Sequence, residues 1–352
     1  MQPFKETEAP RVAVHNEWDP LEEVIVGRAQ NTGVPFKDRS WLAIVGDEEP
    51  EGRYPQRAID EAEEDIQTFI EVLEGLGVVV RRPDPLDVTA RVRTPFWEAG
   101  VISQYCPRDY LLAVGDTLIE TPSPLRGAHF DGLAYKRLFV EYLRGGARWI
   151  SAPRPALRDA LYNTDDPGRL ALLDHEPAFD AANVLRAGRD LFYLVSDSGN
   201  ELGCVWLQSA LGNEYRVHPC RDLYSSTHID TTLVFLRPGL VLVNPKHVRE
   251  DNLPAPLRQW EVLASPPMEE DTTSELPALS SPWLGMNLLM INPSLAVVDR
   301  NQRALIRLLE SRGIEVIPLR LRHARAFAGG FHCITLDVRR RGRLEDYFTP
   351  AR

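Results

Sequence analysis

Apolar residues along the chain recur in a fixed order: a short run that reads as a strand, a stretch with helical spacing, then a β-branched run stopped by proline. The first instance is the clearest in outline. Residues 22–28 (EEVIVGR) form a short apolar run, Ile59, Ala62, Ile66, Phe69, Ile70 and Leu73 fall at helical spacing within 54–77, and Val78-Val79-Val80 precedes the prolines of RRPDP. The order then returns with a hairpin in front. Residues 110–121 read as two strands about a Gly-Asp turn, 133–143 as an amphipathic helix and 147–152 as a strand. A third unit runs through 184–196, a helix at 201–211 and a strand at 215–218. A fourth runs through 232–244, a helix at 256–260 and a strand at 261–264. The fifth has a hairpin at 287–299, a helix at 302–312 ended by Gly313, and a strand at 314–319.

Only the first unit lacks the partner of its hairpin, and the run 334–338 near the end of the chain is free to supply it. That pairing would close the units into a ring. The predicted architecture is an α/β propeller of five pseudo-symmetric hairpin, helix, strand repeats around a central channel. It makes 12–352 a single domain, preceded at 1–11 by a polar arm with two prolines that is expected to be loose.

Composition narrows the function classes. The 352 residues are 43% hydrophobic and carry a net charge of −11, which disfavours nucleic acid and anionic membrane surfaces and leans toward cationic small molecules. No apolar run is long enough to span a bilayer and no leader pattern stands at the start, so the cytosol is the expected location. Cys106, Cys204, Cys220 and Cys333 show no Cys-x-x-Cys spacing, so neither a zinc site nor a disulfide framework is expected. His332 beside Cys333 makes a poor chelate, because neighbours on a strand point to opposite faces.

If the repeats are equivalent, the residues just before each hairpin converge on one end of the ring. They are Cys106-Pro107-Arg108-Asp109, then Asp180 through Asn183, then Thr227-His228-Ile229-Asp230, then Ser280-Ser281 with Asn287, and finally Gly329-Gly330-Phe331-His332-Cys333. Taken singly, each aspartate reads as a turn or cap residue, His228 as a satisfied core histidine and Cys333 as a buried thiol. Together they supply a nucleophile for an electrophilic carbon, a histidine to protonate a departing amine, and a carboxylate to orient it. Asp109 and Asp230 remain to grip a planar guanidinium over the thiol. The two glycines are expected to let the backbone pass beside that plane, and His332 to have no part in the chemistry.

These residues lie in segments that resemble the glycine amidinotransferase family, above all its bacterial inosamine-phosphate branch. The likeness runs nearly end to end: HNEWDPLEEVIVGRA at 15–29, YCPRDYLLAVG at 105–115, FDAANVLRAGRDLFYLVSDSGNELG at 179–203, STHIDTT at 226–232 and GGFHCITLDVRRRG at 329–342. The resemblance implies cofactor-free transfer of the amidino group of L-arginine to an acceptor amine. Cys333 would carry the group, His228 act as acid and base, and Asp180 partner His228. Asp109 and Asp230 would hold the guanidino group, and Ser281, in the pair Ser280-Ser281, would take the amino-acid carboxylate. Relatives of this kind are commonly homodimers, and the expected partners are small molecules alone.

The chain also departs from the family. His247, in Asn244-Pro245-Lys246-His247, stands where an arginine is expected. Arg126-Gly127-Ala128-His129-Phe130 replaces an arginine-rich segment, leaving Arg126 as its candidate substrate ligand, and Tyr224-Ser225-Ser226-Thr227 implies a more open mouth. Two other readings use the same residues: a guanidino hydrolase with water as acceptor, and a non-catalytic protein that binds guanidino metabolites.

Overall fold

Hairpins turned by glycine organise the molecule. Gly115, Gly188 and Gly239 sit between the two strands of successive hairpins at φ of 58°, 68° and 81°, a backbone region closed to most side chains. The computed structural model describes residues 12–47, 50–87, 89–270 and 274–348. The arm expected at 1–11 lies outside the described residues.

Five three-stranded sheets share one plan, an antiparallel hairpin whose second strand pairs in parallel with the strand that follows the helix. Blade 2 pairs Leu111–Val114, Thr117–Glu120 and Arg148–Ser151. Blade 3 pairs Val184–Ala187, Asp190–Leu194 and Arg216–Cys220. Blade 4 pairs Leu233–Arg237, Leu240–Val243 and Glu261–Ala264. Blade 5 pairs Leu289–Asn292, Leu295–Asp299 and Glu315–Leu319. In blade 1, Leu21–Val26 runs parallel to Val79–Arg81 and antiparallel to Thr335–Arg340, with Ile25 opposite Leu336. The end of the chain thus completes its first sheet.

The helices have the sequence features their positions require. Gln56–Gly75 buries Ala58, Ile59, Ala62, Ile66, Phe69, Ile70 and Leu73 on one stripe. Asn200 caps Glu201–Leu211 by accepting from the Gly203 amide. The helix expected at 133–143 is α-helical only over Lys136–Arg144, its approach being the 3₁₀ stretch Arg126–Tyr135, and that of blade 4 is only the 3₁₀ segment Ala255–Gln259. Pro254 and Pro256 leave that segment short of amide donors.

Apolar clusters link each blade to the next. Val12, Ile25 and Leu336 pack with blade 2, Val114 and Leu112 with blade 3, Leu185 and Phe192 with blade 4, and Leu288 with blade 4 again. Leu289 and Val297 of blade 5 share a cluster with Val24, Phe69 and Cys333, which closes the cycle. At the expected central channel the inner strands meet on buried charges. Arg186 binds both Glu17 and Asp337, while Arg108 and Arg340 also bind Asp337, and all five are buried. The central strands bring more charge inward than water could reach, so the ions neutralise each other in place.

Candidate active site

Each blade delivers its polar residues on the turn that precedes its first strand. Pro107–Asp109, Ala181–Asn183, Ile229–Thr231 and Pro282–Met286 are all short 3₁₀ turns, and each touches the next around one end of the ring. Asp180, His228 and Ser281 are the residues that open the last three of them. The loop 329–333 occupies the equivalent place before Thr335–Arg340. Phe331 holds this loop to the long helix, its ring edge-on to Phe69 at 5.1 Å.

These turns face a cavity of ≈ 240 Å³. Cys333, His228, Asp180, Asp109, Asp230, Ser280 and Ser281 all line it. His228 Nε2 is 3.2 Å from Asp180 Oδ2, and its Nδ1 is 3.7 Å from Asp109 Oδ1. The Cys333 thiol, 3% exposed as a residue, donates to Asp230 Oδ2 at 3.4 Å. Asp109 Oδ1 and Asp230 Oδ1 are buried without a hydrogen-bond partner among the described residues. Two acceptor oxygens therefore stand open beside a thiol and a histidine.

Electrostatics sets these groups apart. Burial pulls His228 toward neutrality, but Asp109, Asp180 and Asp230 override it and raise the imidazole to about 9. Burial lifts Asp109 to about 7, against the pull of His228 and with the push of Asp180 and Asp230. Burial opposes ionisation of Asp230 too, yet the hydrogen bond and charge of His332, with His228, hold it at about 2. Cys333 is pushed well above the ordinary thiol by its contact with Cys106, by burial and by Asp230. At neutral pH the site thus holds a thiol, a protonated histidine and an ionised Asp230.

Other candidates stand elsewhere. The Arg126 guanidinium faces away from the cavity: it donates to the Leu157 carbonyl and to Asp159, and its backbone amide donates to Ser40. Arg126 thus anchors the wall through Nε and Nη2 and does not line the cavity. Asn287 is likewise turned to the protein, its Oδ1 accepting from the amides of His332 at 3.0 Å and Cys333 at 2.9 Å. It shapes the nucleophile's loop. His247 lies beyond the cavity, 4.8 Å from the Tyr224 ring, in a second cavity of ≈ 560 Å³ that Tyr224 also lines.

The glycines act differently from the expectation. A Cβ at Gly329 would sit 2.4 Å from Cys106 Sγ, and one at Gly330 would sit 2.7 Å from the Asn287 side chain. They admit protein neighbours and not a ligand. His332, set aside by strand alternation, donates to Asp230 instead, because residues 330–334 form a turn and not a strand. Sequence reasoning also passed over the wall made by Arg39–Ile44 and the strand pair Gly33–Val34 and Gly52–Arg53, whose Thr32, Trp41 and Tyr54 line the cavity. Asp38 followed by Ser40 was the available signal, an aspartate that caps the short helix through the amides of Ser40 and Trp41.

No protein-family model matches the chain. Among curated proteins it is 54% identical to inosamine-phosphate amidinotransferase 1 of Streptomyces glaucescens, over 96% of this chain and 99% of that protein. It is 38% identical to the mitochondrial glycine amidinotransferase of Gallus gallus, over 96% of this chain and 85% of that one. Among solved structures, inosamine-phosphate amidinotransferase StrB1 of Streptomyces griseus superposes with a TM-score of 0.93 at 55% identity, over 96% of this chain and 99% of that one. DDAH of Pseudomonas aeruginosa shares the fold at a TM-score of 0.57 and 13% identity, over 90% of this chain and 99% of that one. With identity of this extent over almost its whole length, the chain belongs to the amidinotransferase family and has its five-bladed pentein fold.

Proposed function

We propose that the chain moves the amidino group of L-arginine to an amine through an amidino-Cys333 intermediate. The observation that carries this is the pair of buried carboxylate oxygens that accept no hydrogen bond among the described residues, Asp109 Oδ1 and Asp230 Oδ1, in the cavity that Cys333 and His228 also line. A guanidinium offers planar donors to two such acceptors and brings a positive charge next to the thiol. That charge favours the thiolate, whose proton leaves through the Asp230 oxygen it already faces. The sulfur attacks the guanidino carbon, and protonated His228 gives its proton to the departing nitrogen of ornithine. Neutral His228 then takes a proton from the incoming amine as that amine attacks the amidino carbon and the C–S bond breaks, releasing the Cys333 thiolate, which regains its proton by the route it left. Asp180 orients His228 throughout, and Ser281, at the mouth, takes the carboxylate of arginine.

The acceptor enters past Tyr224, and the second cavity there favours an anionic group on it. Lys246, His247, Arg221 and Arg249 all line that space. Arg221 is already held by Glu201 and Arg249 by Asp251, while Lys246 makes no ion pair among the described residues. Lys246 as a point charge beside His247 suits an anionic phosphate on the acceptor, in line with the inosamine-phosphate relatives. The four free cysteines fit a reducing cytosol. A homodimer is the expected assembly, since two-fold closure is the commonest among soluble enzymes.

Mass spectrometry of the protein incubated with arginine alone, then with glycine, inosamine phosphates or unphosphorylated inosamines, tests the whole sequence. The expected result is an amidino adduct on Cys333, release of one ornithine, and removal of the adduct fastest by the phosphorylated amine. Citrulline in place of a new guanidine would make the enzyme a hydrolase.

A further inference from the structure

The Cys333 loop contains a second titratable side chain that the transfer chemistry leaves unused. His332 is buried, and each of its ring nitrogens faces a carboxylate: Nδ1 is 2.8 Å from Asp230 Oδ2 and Nε2 is 3.4 Å from Glu17 Oε2. The ring is fixed from behind. Glu17 is clamped by Arg186, and Arg108 donates to the His332 carbonyl at 2.8 Å while its other end grips Asp337. In front, a single oxygen of Asp230 accepts from both His332 and Cys333, which fixes the plane of that carboxylate and leaves Oδ1 buried and open.

We infer that His332 is the positioning residue for Asp230: its Nδ1–H holds Oδ2 so that Oδ1 is presented, ionised, to the substrate guanidinium. Three features require this assignment. Asp230 has no backbone amide or arginine donor to steady it among the described residues; His332 and the thiol are bonded to it, with the Asn287 side chain a lesser donor alongside. Once the thiol gives up its proton, His332 is the principal donor that remains. A carboxylate buried without any donor would take up a proton and lose its grip on a cation. The ionic network behind Glu17 therefore reaches the reacting carbon through one imidazole, and His332 acts through Asp230 without touching substrate.

This inference rests on the reading of the site as an arginine site, and the test separates the two. In a Cys333→Ser background, which cannot turn arginine over, arginine affinity is measured by calorimetry in the full-length protein. If that parent fails to bind arginine, the reading of the site falls. With the parent binding, two amides of similar bulk are compared. The amide nitrogen of His332→Asn falls near the place of Nδ1 and can serve Asp230, whereas that of His332→Gln reaches toward the place of Nε2 and serves Glu17. The expected result is that His332→Asn stays within about threefold of the parent while His332→Gln weakens binding by about 30-fold or more, the scale of one charge-assisted hydrogen bond.

Added to Asp230→Asn, His332→Gln is expected to cost nothing further, because the two residues act as one unit. A purely structural part would give the opposite pattern, with the Gln variant restored through Glu17 and its effect adding to that of Asp230→Asn. Equal losses for Asn and Gln, a tighter Gln variant, or full additivity would each overturn the assignment. Should His332→Gln not fold, His332→Asn decides alone: a loss as large as that of Asp230→Asn overturns it.

Discussion

Asp109 Oδ1 lies 3.7 Å from His228 Nδ1, and neither group has its ordinary affinity for protons. Burial raises Asp109 to about 7 and the surrounding carboxylates raise His228 to about 9. Both folded values are above the ordinary ones, so the folded, empty protein binds extra protons at the pair. Its contribution to stability is full in acid and is lost as pH rises, through about 7 for Asp109 and about 9 for His228.

Arginine reverses part of this, since a guanidinium selects the ionised Asp109. Ornithine formation, read as kcat/KM for arginine, is expected to rise as pH passes about 7, where Asp109 ionises, and to fall above about 9, where His228 loses the proton it must donate. Binding near neutrality should release a proton, measurable by calorimetry in buffers of different ionisation enthalpy. A rate that is level across that neutral limb, or one that is highest in acid, would contradict the arrangement.

Cys106 bears on the nucleophile's resting state. Its thiol, together with burial and Asp230, keeps Cys333 protonated. Cys106→Ala is therefore expected to lower the thiol's titration and to speed alkylation of Cys333 by iodoacetamide several-fold at mildly alkaline pH. Peptide mapping would assign the label. An unchanged or slower rate at Cys333 would show that burial and Asp230 set the thiol by themselves.

What the sequence made legible follows from repetition. Five equivalent hairpins put Asp109, Asp180, His228, Asp230 and Cys333 at equivalent turns, and equivalence placed them at one cavity without any knowledge of distances. Arg126 and Asn287 failed because their roles depend on which way a side chain faces: Arg126 turns to the Leu157 carbonyl, Asn287 to the amides of the Cys333 loop. His332 was set aside for a different reason, strand geometry assumed at 332–333 when the strand begins at Thr335. The wall at 39–44 breaks the repeat and carries no periodic signal, being only six residues long. Glu17 and Arg108 sat inside the motifs, but their partners are far along the chain, Arg186 of blade 3 for Glu17 and Asp337 of the closing strand for Arg108, pairings that only the closed ring reveals.

Gly330 offers a steric test of the loop. A methyl there would sit 2.7 Å from Asn287 Cβ and 2.8 Å from its Oδ1, the oxygen that accepts from both His332 and Cys333 amides. Gly330→Ala is expected to cost about 1–3 kcal/mol of stability, typical of overpacking. Activity should suffer more, because the displaced oxygen orients the nucleophile's own amide. The check is urea denaturation alongside single-turnover ornithine release: a folded variant with wild-type turnover would show that Asn287 does not set the position of Cys333.

Arg186 tests whether the centre of the ring is an ionic unit. Its guanidinium bonds Glu17 through two nitrogens, both oxygens of Asp337 and the Ala113 carbonyl, all within 3.0 Å, at 1% exposure. Arg186→Met keeps much of the volume but leaves two buried carboxylates short of their main counter-charge, a loss of about 3–5 kcal/mol for a broken buried pair. The pH dependence follows from sign. In the native protein burial opposes ionisation of Glu17 and Asp337, but Arg186 holds both well below the usual carboxylate range, so their contribution is present above that range and lost as pH falls. Without the arginine burial drives the Glu17 carboxyl upward, while Asp337 loses one of three guanidinium partners and keeps Arg108 and Arg340. The deficit of Arg186→Met relative to the native protein is therefore expected to be large at neutral pH and to shrink toward about pH 4, where the unfolded carboxylates take up protons too. Urea titrations at the two pH values measure it, and a deficit that stays constant or grows in acid would mean that the arginine contributes packing and not charge.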